Sequence, residues 1–158
     1  MAVGGRVVYA VGNDVVDIVT LQGHTDTVLS VDLDYFLVSG SADNTVRVWA
    51  RVVDDGVVDY GREHDIVYAH DDDVSVVATH GDWIFYAVGS KVFVRKPLKK
   101  LVTYIFDHGA DVTSLSASQD MFVSTADVAY MYNKVAPVWE TIGTTDGNIE
   151  SLECVNTL

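Results

Sequence analysis

The chain has 158 residues, which is long enough for one domain with a sizeable core. Its 23 acidic and 10 basic side chains give a net charge of −13. This charge argues against nucleic acid and anionic membrane as partners, because both attract cationic surfaces. Thirty residues are valine, and 19 of the acidic residues are aspartate. Valine suits a pleated strand and aspartate favours turns, so the composition predicts an all-β protein.

Cysteine content and hydropathy bear on the compartment. Cys154 is the single cysteine, so an internal disulfide is impossible, and we expect a reducing compartment such as the cytoplasm. The first residues do not form the apolar segment of a secretory signal, and no apolar run is long enough to span a bilayer.

A hairpin is predicted for residues 6–21. Residues 7–11 and 14–19 are rich in valine and are separated by Gly12 and Asn13, a pair that favours a tight turn. Residues 7–12 are similar to residues 84–89. We therefore expect the chain to begin at the second strand of a repeating unit.

The clearest motif lies in residues 21–50. A Gly-His pair precedes an alternating strand that contains Val28, Val31 and Leu33. A Ser-Gly-Ser-Ala-Asp turn and a last strand over residues 45–49 follow. Together these features resemble one WD40 repeat, a unit of about 40–45 residues that forms a propeller blade of four strands.

The resemblance implies a hydrogen-bond network within this unit. In WD40 proteins a histidine, a serine or threonine, an aspartate and a tryptophan fasten the strands of one blade. The matching residues are His24, Ser39, Asp43 and Trp49. The aspartate that often follows the tryptophan is replaced by Ala50. The resemblance implies a structural role for the four residues, although His24, Ser39 and Asp43 are also the residue types of a hydrolase triad.

The motif recurs along the chain. His24, His70, His108 and Thr145 each stand four residues before an apolar residue, and they lie 46, 38 and 37 residues apart. This period predicts an all-β, WD40-like β-propeller of about four blades with four antiparallel strands each. First strands are expected to begin near Val28, Val74 and Val112, and another over residues 149–155.

The later units depart from the motif. In the second unit we align Ala87 with Ser39 and Arg95 with Trp49, and its turn has no aspartate. In the third unit we align Ser124 with Ser39 and Tyr132 with Trp49. The sequence therefore predicts one complete network, one partial network, and packing in place of the rest.

Residues 1–158 are predicted to form a single domain in which the two ends share a blade. Residues 149–155 should pair antiparallel with residues 7–11, because both would otherwise expose an apolar edge. WD40 rings usually have more than four blades. Three alternatives follow: a small ring closed within one chain, a homodimer that joins two half-rings, or docking in a larger assembly.

The segment 50–65 is the longest connection between units. It mixes Asp54, Asp55, Arg62 and Glu63 with glycine, and we predict a solvated loop, with partner binding as one of its uses.

Acidic residues are expected to gather on one face of the ring. In this fold the loops before first strands and the turns between second and third strands share a face. Candidate partner-binding residues on that face are Asp71, Asp72, Asp73, Asp111 and Asp146. Asp14, Asp26, Asp43 and Asp127 are expected on the same face, and Arg6, Arg51, Arg62, Lys96, Lys99, Lys100 and Lys134 on the opposite one.

The function favoured by the sequence is a non-catalytic scaffold of WD40 type that binds a basic protein or peptide. No cofactor or metal is expected, because three adjacent aspartates do not reproduce the spaced ligands of a calcium loop. One alternative is a propeller enzyme with its site at the central opening. Another is substrate recognition for ubiquitin ligation, which would require arginines on the binding face.

Overall fold

The computed structural model describes residues 5–6, 10–11, 14–15, 20–54, 57–96, 101–118, 121–125, 128–133, 138–144 and 149. Every regular element in these ranges is a β-strand. The described residues include no helix of the length and apolarity needed to cross a membrane.

The strands follow one another through short turns. In chain order they are β1 (Gly5–Arg6), β2 (Ala10–Val11), β3 (Asp14–Val15), β4 (Thr20–Leu21), β5 (Val28–Leu33), β6 (Leu37–Ser41), β7 (Thr45–Asp54), β8 (Val57–Ala69), β9 (Val74–His80), β10 (Trp83–Val88), β11 (Lys91–Lys96), β12 (Leu101–Asp107), β13 (Val112–Ala117), β14 (Met121–Thr125), β15 (Val128–Asn133) and β16 (Val138–Thr144).

Three four-stranded sheets form the body of the structure. They are β5–β6–β7–β8, β9–β10–β11–β12 and β13–β14–β15–β16, and all their pairs are antiparallel. We call these sheets the first, second and third units. Their first strands begin at Val28, Val74 and Val112, so the expected starting points and the predicted all-β class are confirmed.

Strand pairs are also present at the N-terminus. Gly5 pairs with Leu21, and Val11 pairs with Asp14, in agreement with the predicted hairpin. The predicted pairing of residues 149–155 with residues 7–11 lies outside the described residues.

The predicted solvated loop at residues 50–65 is wrong. Strand β7 continues to Asp54, β8 begins at Val57, and Val53 pairs with Val58, so the two strands extend as one long hairpin. The reason is local. Four valines flank an Asp-Gly pair, and β-branched residues around Asp-Gly are a strong hairpin signal that outweighs the surrounding charge.

The core lies between the sheets, because each strand alternates its side chains between two faces. On β10, Ile84 and Tyr86 pack with the first unit, beside Val38 and Val48. The intervening Phe85 and Ala87 pack with the third unit, beside Val112 and Leu115. Each described unit therefore buries its apolar surface against a neighbour, as repeats of a propeller do.

Gly40 shows how closely the units approach. A Cβ atom at this position would lie 2.8 Å from Cγ1 of Val74 and 2.9 Å from the Val74 carbonyl oxygen. A larger residue would therefore push the first and second units apart.

Candidate functional site

The structure brings together all four residues of the predicted network. Nε2 of His24 lies 2.7 Å from Oγ of Ser39, and Nδ1 of His24 lies 2.9 Å from Oδ2 of Asp43. The indole Nε1–H of Trp49 donates to Oγ of Ser39 over 3.0 Å. These contacts join the loop before β5 to strands β6 and β7 and to the turn between them. The network thus fastens the sheet at one end.

Thr45 is a fifth member that the sequence reasoning missed. Its Oγ1 donates to Oδ1 of Asp43 over 2.5 Å, and its backbone N–H donates to the same oxygen over 3.0 Å. The backbone N–H of Thr25 donates to the other carboxylate oxygen over 2.9 Å. An aspartate two residues before a threonine is a common turn pattern, and this pattern could have identified Thr45.

Hydrogen bonding sets the charge of Asp43. Burial by itself would raise the pKa of this carboxyl, but hydrogen bonds from Thr45, Thr25 and His24 outweigh burial and lower the pKa to about 2. The ionised carboxylate only accepts hydrogen bonds, so Nδ1 of His24 donates to it. When the ring is neutral, Nε2 then accepts the hydrogen of the Ser39 hydroxyl. Both ring nitrogens of His24, Oγ of Ser39 and Nε1 of Trp49 therefore each have a hydrogen-bond partner.

The Ser39, His24 and Asp43 contacts have the order of a hydrolase triad, but the serine is inaccessible. Ser39 is 4% exposed and His24 is 2% exposed. The indole of Trp49 also donates to the serine oxygen. A nucleophile must reach its substrate, so these contacts support a structural role for the network.

In the second unit, aromatic packing replaces the network. His70 packs on Phe93 with ring centroids 4.6 Å apart, and Tyr86 stacks on Phe93 at 5.1 Å. Burial, with the nearby charge of Arg95, lowers the pKa of His70. The ring is therefore held neutral at neutral pH.

The strand registers correct two predicted alignments. Val31 pairs with Ser39, whereas its counterpart Val77 pairs with Tyr86, so Tyr86 and not Ala87 occupies the place of Ser39. In the third unit Leu115 pairs with Val123, so Ser124 is displaced by one residue. The physical reason is the length of the connection between first and second strands: Tyr86 follows Val77 by nine residues, whereas Ser39 follows Val31, and Val123 follows Leu115, by eight. The alignments of Arg95 and Tyr132 with Trp49 agree with the pairings of β10 with β11 and of β14 with β15.

The third unit keeps the histidine. The rings of His108 and Tyr130 pack at 4.6 Å, beside a cavity of about 250 Å³ that they line with Phe106, Asp107 and Thr141. Burial lowers the pKa of His108, although the charge of Asp107 opposes the shift.

Loops at one end of the sheets are tied together by backbone hydrogen bonds. Ala42 N–H donates to the Thr27 carbonyl, and His70 N–H donates to the Asn44 carbonyl. In the second and third units, His108 N–H donates to the Ser90 carbonyl. The loops before first strands therefore lie beside the turns between second and third strands, and they form a common rim.

Most of the candidate acidic residues lie on this rim. Asp26, Asp71, Asp72, Asp73 and Asp111 are exposed. We call these five residues the acidic loop face. Oδ1 of Asp111 lies 3.7 Å from the position of a Cβ on Gly89, so the third unit brings its acid to the turn of the second. Asp43 is on the same rim but buried in the network. Asp146, Asp14 and Asp127 lie outside the residues with described side chains.

The opposite rim is not uniformly basic in the described part of the chain. Lys96 donates to both oxygens of Asp82 at 3.1 and 3.0 Å, and its ammonium lies 4.1 Å from the ring centroid of Trp83. Asp34 and Asp82 both lie in turns between first and second strands, so this rim also carries acids. The other predicted basic residues have no described side chains.

The three first strands line an open cavity of about 670 Å³, which we call the central opening. Its polar lining includes Ser30, Asp32, Asp34, His80 and Ser116. Asp32 is engaged, because its Oδ2 accepts from the backbone N–H of Thr79 at 2.6 Å and from the Thr79 hydroxyl at 3.1 Å. Among the described residues, no three histidine, cysteine or acidic side chains form a group that could hold a metal ion.

Comparison with known proteins identifies a family motif and structures with the same fold. The family model "WD domain, G-beta repeat" matches residues 16–50. No curated protein matches the chain.

Solved structures with the same fold include the WD40 repeats of RRP9, at TM-score 0.69 and 15% identity, over 84% of this chain and 43% of that one. A chain of the mitotic checkpoint complex matches at TM-score 0.67 and 18% identity, over 85% of this chain and 44% of that one. The computationally designed Ika4 protein matches at TM-score 0.67 and 17% identity, over 86% of this chain and 84% of that one.

This chain therefore spans less than half the length of the RRP9 and checkpoint chains that it matches. The three four-stranded sheets, the network from His24 to Trp49 and the family match agree with one another. The protein carries a WD40 repeat at residues 16–50 and has the β-propeller fold of WD40-repeat proteins.

Proposed function

We propose that this chain is a non-catalytic interaction module whose acidic loop face binds a basic segment of a protein or peptide. WD40 repeats generally mediate protein–protein interaction, and the family match supports that general role. The observation that supports the acidic loop face as the binding surface is the arrangement of the loops on this rim. Loops from three successive units bring Asp26, Asp71–Asp73 and Asp111 to one side.

Electrostatics explains why this rim suits a cationic partner. Like charges held together repel one another, and an opposite charge relieves the repulsion. The loops are fixed by backbone hydrogen bonds, so a partner meets an ordered surface and loses little affinity in ordering it. A concentration of like charge of this kind raises the association rate of a cationic partner more than it lowers the dissociation rate.

The absence of catalysis belongs to the same proposal. Ser39 is buried beneath Trp49, and Asp32 of the central opening is engaged by Thr79. The residues that the structure describes offer no specific support for a propeller enzyme. Recognition of phosphorylated segments would need clustered arginines, and the described loop face carries acids instead.

The test is a triple variant with asparagine at Asp71, Asp72 and Asp73, measured against an octalysine peptide by surface plasmon resonance. We expect the triple variant to weaken binding about tenfold at low salt, mainly through slower association. Salt at ~0.5 M should weaken the wild type to a similar extent, because it screens exposed charges. The variant should fold as stably as the wild type or slightly more so.

A matched control distinguishes the effect of a charge on the rim from the effect of a negative charge elsewhere on the surface. Asp71→Asn removes one charge from the rim, and Glu140→Gln removes one charge from the exposed surface of β16. Only Asp71→Asn should slow association. Equal effects of the two substitutions, or affinity indifferent to the triple change and to salt, would show that this rim is an ordinary solvated surface.

A further inference from the structure

The edge of β9 that faces the central opening is satisfied by side chains of the first unit. Oγ of Ser30 accepts from the backbone N–H of Val77 at 3.1 Å, and Oδ2 of Asp32 accepts from that of Thr79 at 2.6 Å. We call the edge of a first strand that faces the opening its inner edge. Two residues of β5 thus provide the acceptors that the inner edge of β9 requires.

The inner edge of β13 presents N–H groups at the same repeat positions. Counting from the histidine of each unit places Leu115 at the position of Val77 and Ala117 at that of Thr79. The side chains of Val77 and Leu115 both pack towards the preceding unit. At an L-residue in a strand, the side-chain face and the chain direction fix the side to which the N–H points. The N–H groups of Leu115 and Ala117 therefore point towards the central opening, which both residues line.

Strand β9 differs from β5 in what it offers to the next unit. The residues at the positions of Ser30 and Asp32 are Val76 and Ala78, whose side chains contain no polar atom. Both of them line the central opening beside β13. The acceptors that satisfy the inner edge of β9 thus have no counterpart at the inner edge of β13.

The size of the opening and the spacing of the N–H groups indicate the kind of ligand. A volume of about 670 Å³ lies within the range of ligand pockets. Leu115 and Ala117 are two residues apart on one strand, so their N–H groups lie about 7 Å apart. One small anion cannot reach both, and Asp32 and Asp34 in the same lining repel anions. The carbonyl groups of an extended polypeptide repeat at the required spacing.

The charge of the lining selects the sequence of such a segment. The side chain of Asp34 is 48% exposed and lines the opening at the end of β5. Nδ1 of His80 lies 3.8 Å from this carboxylate, which leaves room for a closer cation. Strand β13 runs towards the same end of the opening, so a segment antiparallel to β13 begins beside Asp34. A lysine or arginine at that first position complements the carboxylate.

We propose that the inner edge of β13 binds an extended segment of a partner polypeptide, antiparallel to β13, with a basic first residue against Asp34. The N–H and carbonyl groups of Leu115 and Ala117 pair with alternate residues of the segment, as in the addition of a strand to a sheet edge. This site lies towards the rim opposite the acidic loop face. It therefore does not depend on the function proposed above.

The first test uses the acetylated and amidated peptide Lys-Thr-Val-Thr-Val, added to ~5 mM and followed by NMR of the full chain. The amide signals of Leu115 and Ala117 should shift, whereas those of Val77 and Thr79 should not. Two further peptides carry N-methyl groups on alternate amides, in one phase or in the other. Only one phase should lose affinity, at least tenfold, because one side of the segment pairs with β13. Equal affinity of the two methylated peptides, or no shift of the two amides, would overturn the proposal.

The second test supplies the acceptor that β9 lacks. Val76→Ser places a hydroxyl where Ser30 stands, so it should compete for the Leu115 N–H and weaken the peptide about threefold to tenfold. Val88→Ser is the matched control, because Val88 is a half-buried valine of the same unit that does not line the opening. Ala117→Pro removes an N–H that makes no bond within the sheet and should abolish binding. Val76→Ser decides the outcome if Ala117→Pro does not fold, and an affinity that it leaves unchanged would contradict the site.

The third test separates this site from the acidic loop face. A peptide with glutamate in place of lysine should bind about tenfold more weakly to the wild type. Asp34→Asn should remove most of that difference, since it keeps an acceptor for Gly81 and loses the charge. The triple asparagine variant at Asp71, Asp72 and Asp73 should bind the lysine peptide as the wild type does. Loss of binding in the triple variant would assign the peptide to the loop face and refute a site on β13.

Discussion

At the residue scale, the network from His24 to Trp49 combines packing with hydrogen bonding in one small volume. Trp49 is 4% exposed, packs with Leu21 and Leu37, and donates to Ser39. Oγ of Ser39 accepts the indole N–H of Trp49, and the Ser39 hydroxyl donates to Nε2 of His24. Loss of one member therefore leaves a buried polar atom of another without a partner, which costs more than the net value of the bond.

Trp49 allows the two contributions to be separated. Trp49→Ala should lower the free energy of unfolding by about 3–5 kcal/mol, because it removes a large buried side chain. Trp49→Phe keeps most of the ring and removes the indole donor, so it should cost about 1–3 kcal/mol. Urea denaturation at neutral pH measures both. An unchanged stability of Trp49→Phe would show that the bond to Ser39 contributes nothing.

The low pKa of Asp43 gives stability a definite pH dependence. The folded pKa of about 2 lies below the ordinary value of 3.8, so the unfolded chain takes up the proton first as pH falls. The stabilisation is fully present above the ordinary value and is lost as pH falls towards 2. By linkage it amounts to about 2 kcal/mol.

Asp43→Asn should therefore be less stable than the wild type at neutral pH, and the difference should shrink between about pH 4 and about pH 2. Thermal melts across this range provide the measurement. A difference that stays constant with pH would show that the carboxylate charge is not the stabilising feature.

At the element scale, the units are held by apolar packing and by the side chains of β5 that bond the edge of β9. Asp32 accepts two hydrogen bonds from Thr79, and Asp34 accepts one from Gly81. A first strand has a free edge towards the central opening, and these acceptors satisfy its N–H groups. Their charge also makes the bonds stronger than neutral ones.

Asp32→Ala should therefore destabilise the interface between the first and second units. We expect a loss of about 1–3 kcal/mol, since the Thr79 N–H loses its charged acceptor. Hydrogen exchange at the Thr79 amide should accelerate. Asp26→Ala is a suitable control, because Asp26 is exposed and its carboxylate accepts from the backbone N–H of the adjacent Thr27. Equal losses for the two variants would contradict a special role of Asp32.

At the scale of the whole molecule, the exposed acids and the buried histidines have opposite effects on stability as pH falls. The net charge of −13 repels itself, and protonation of exposed acids relieves that repulsion. His70 and His108 both have pKa values lowered by burial from the ordinary 6.5. The unfolded chain protonates these histidines first, so their contribution to stability is lost as pH falls below the ordinary value.

High salt should separate the two effects. At ~0.5 M NaCl the surface repulsion is screened, and the wild type should lose stability between about pH 7 and about pH 5. The double variant His70→Phe, His108→Phe keeps aromatic contacts with Phe93 and Tyr130 and should show a smaller loss. Denaturant midpoints in this range are the measurement. An identical pH dependence in the two proteins would assign the effect to other groups.

Local sequence determined much of this fold. Valine-rich strands separated by turn residues specify where each strand begins, because alternation and turn chemistry are properties of a few consecutive residues. The four-residue offset from His24, His70 and His108 located the first strands to the residue. Four of the five network residues were also readable, since one complete motif contains them, whereas Thr45 was missed.

The tertiary structure decided what depends on residues far apart in the chain. The bond from Asp32 to Thr79 spans 47 residues, and neither strand predicts it alone. Register placed Tyr86 where Ser39 stands, because Tyr86 follows Val77 by nine residues whereas Ser39 follows Val31 by eight, and a shift of one residue exchanges the two faces of a strand. Val31 is likewise exposed, whereas its counterparts Val77 and Leu115 are buried. The sequence marks that position as apolar in every unit, and only the arrangement of the sheets distinguishes the exposed side chain from the buried ones.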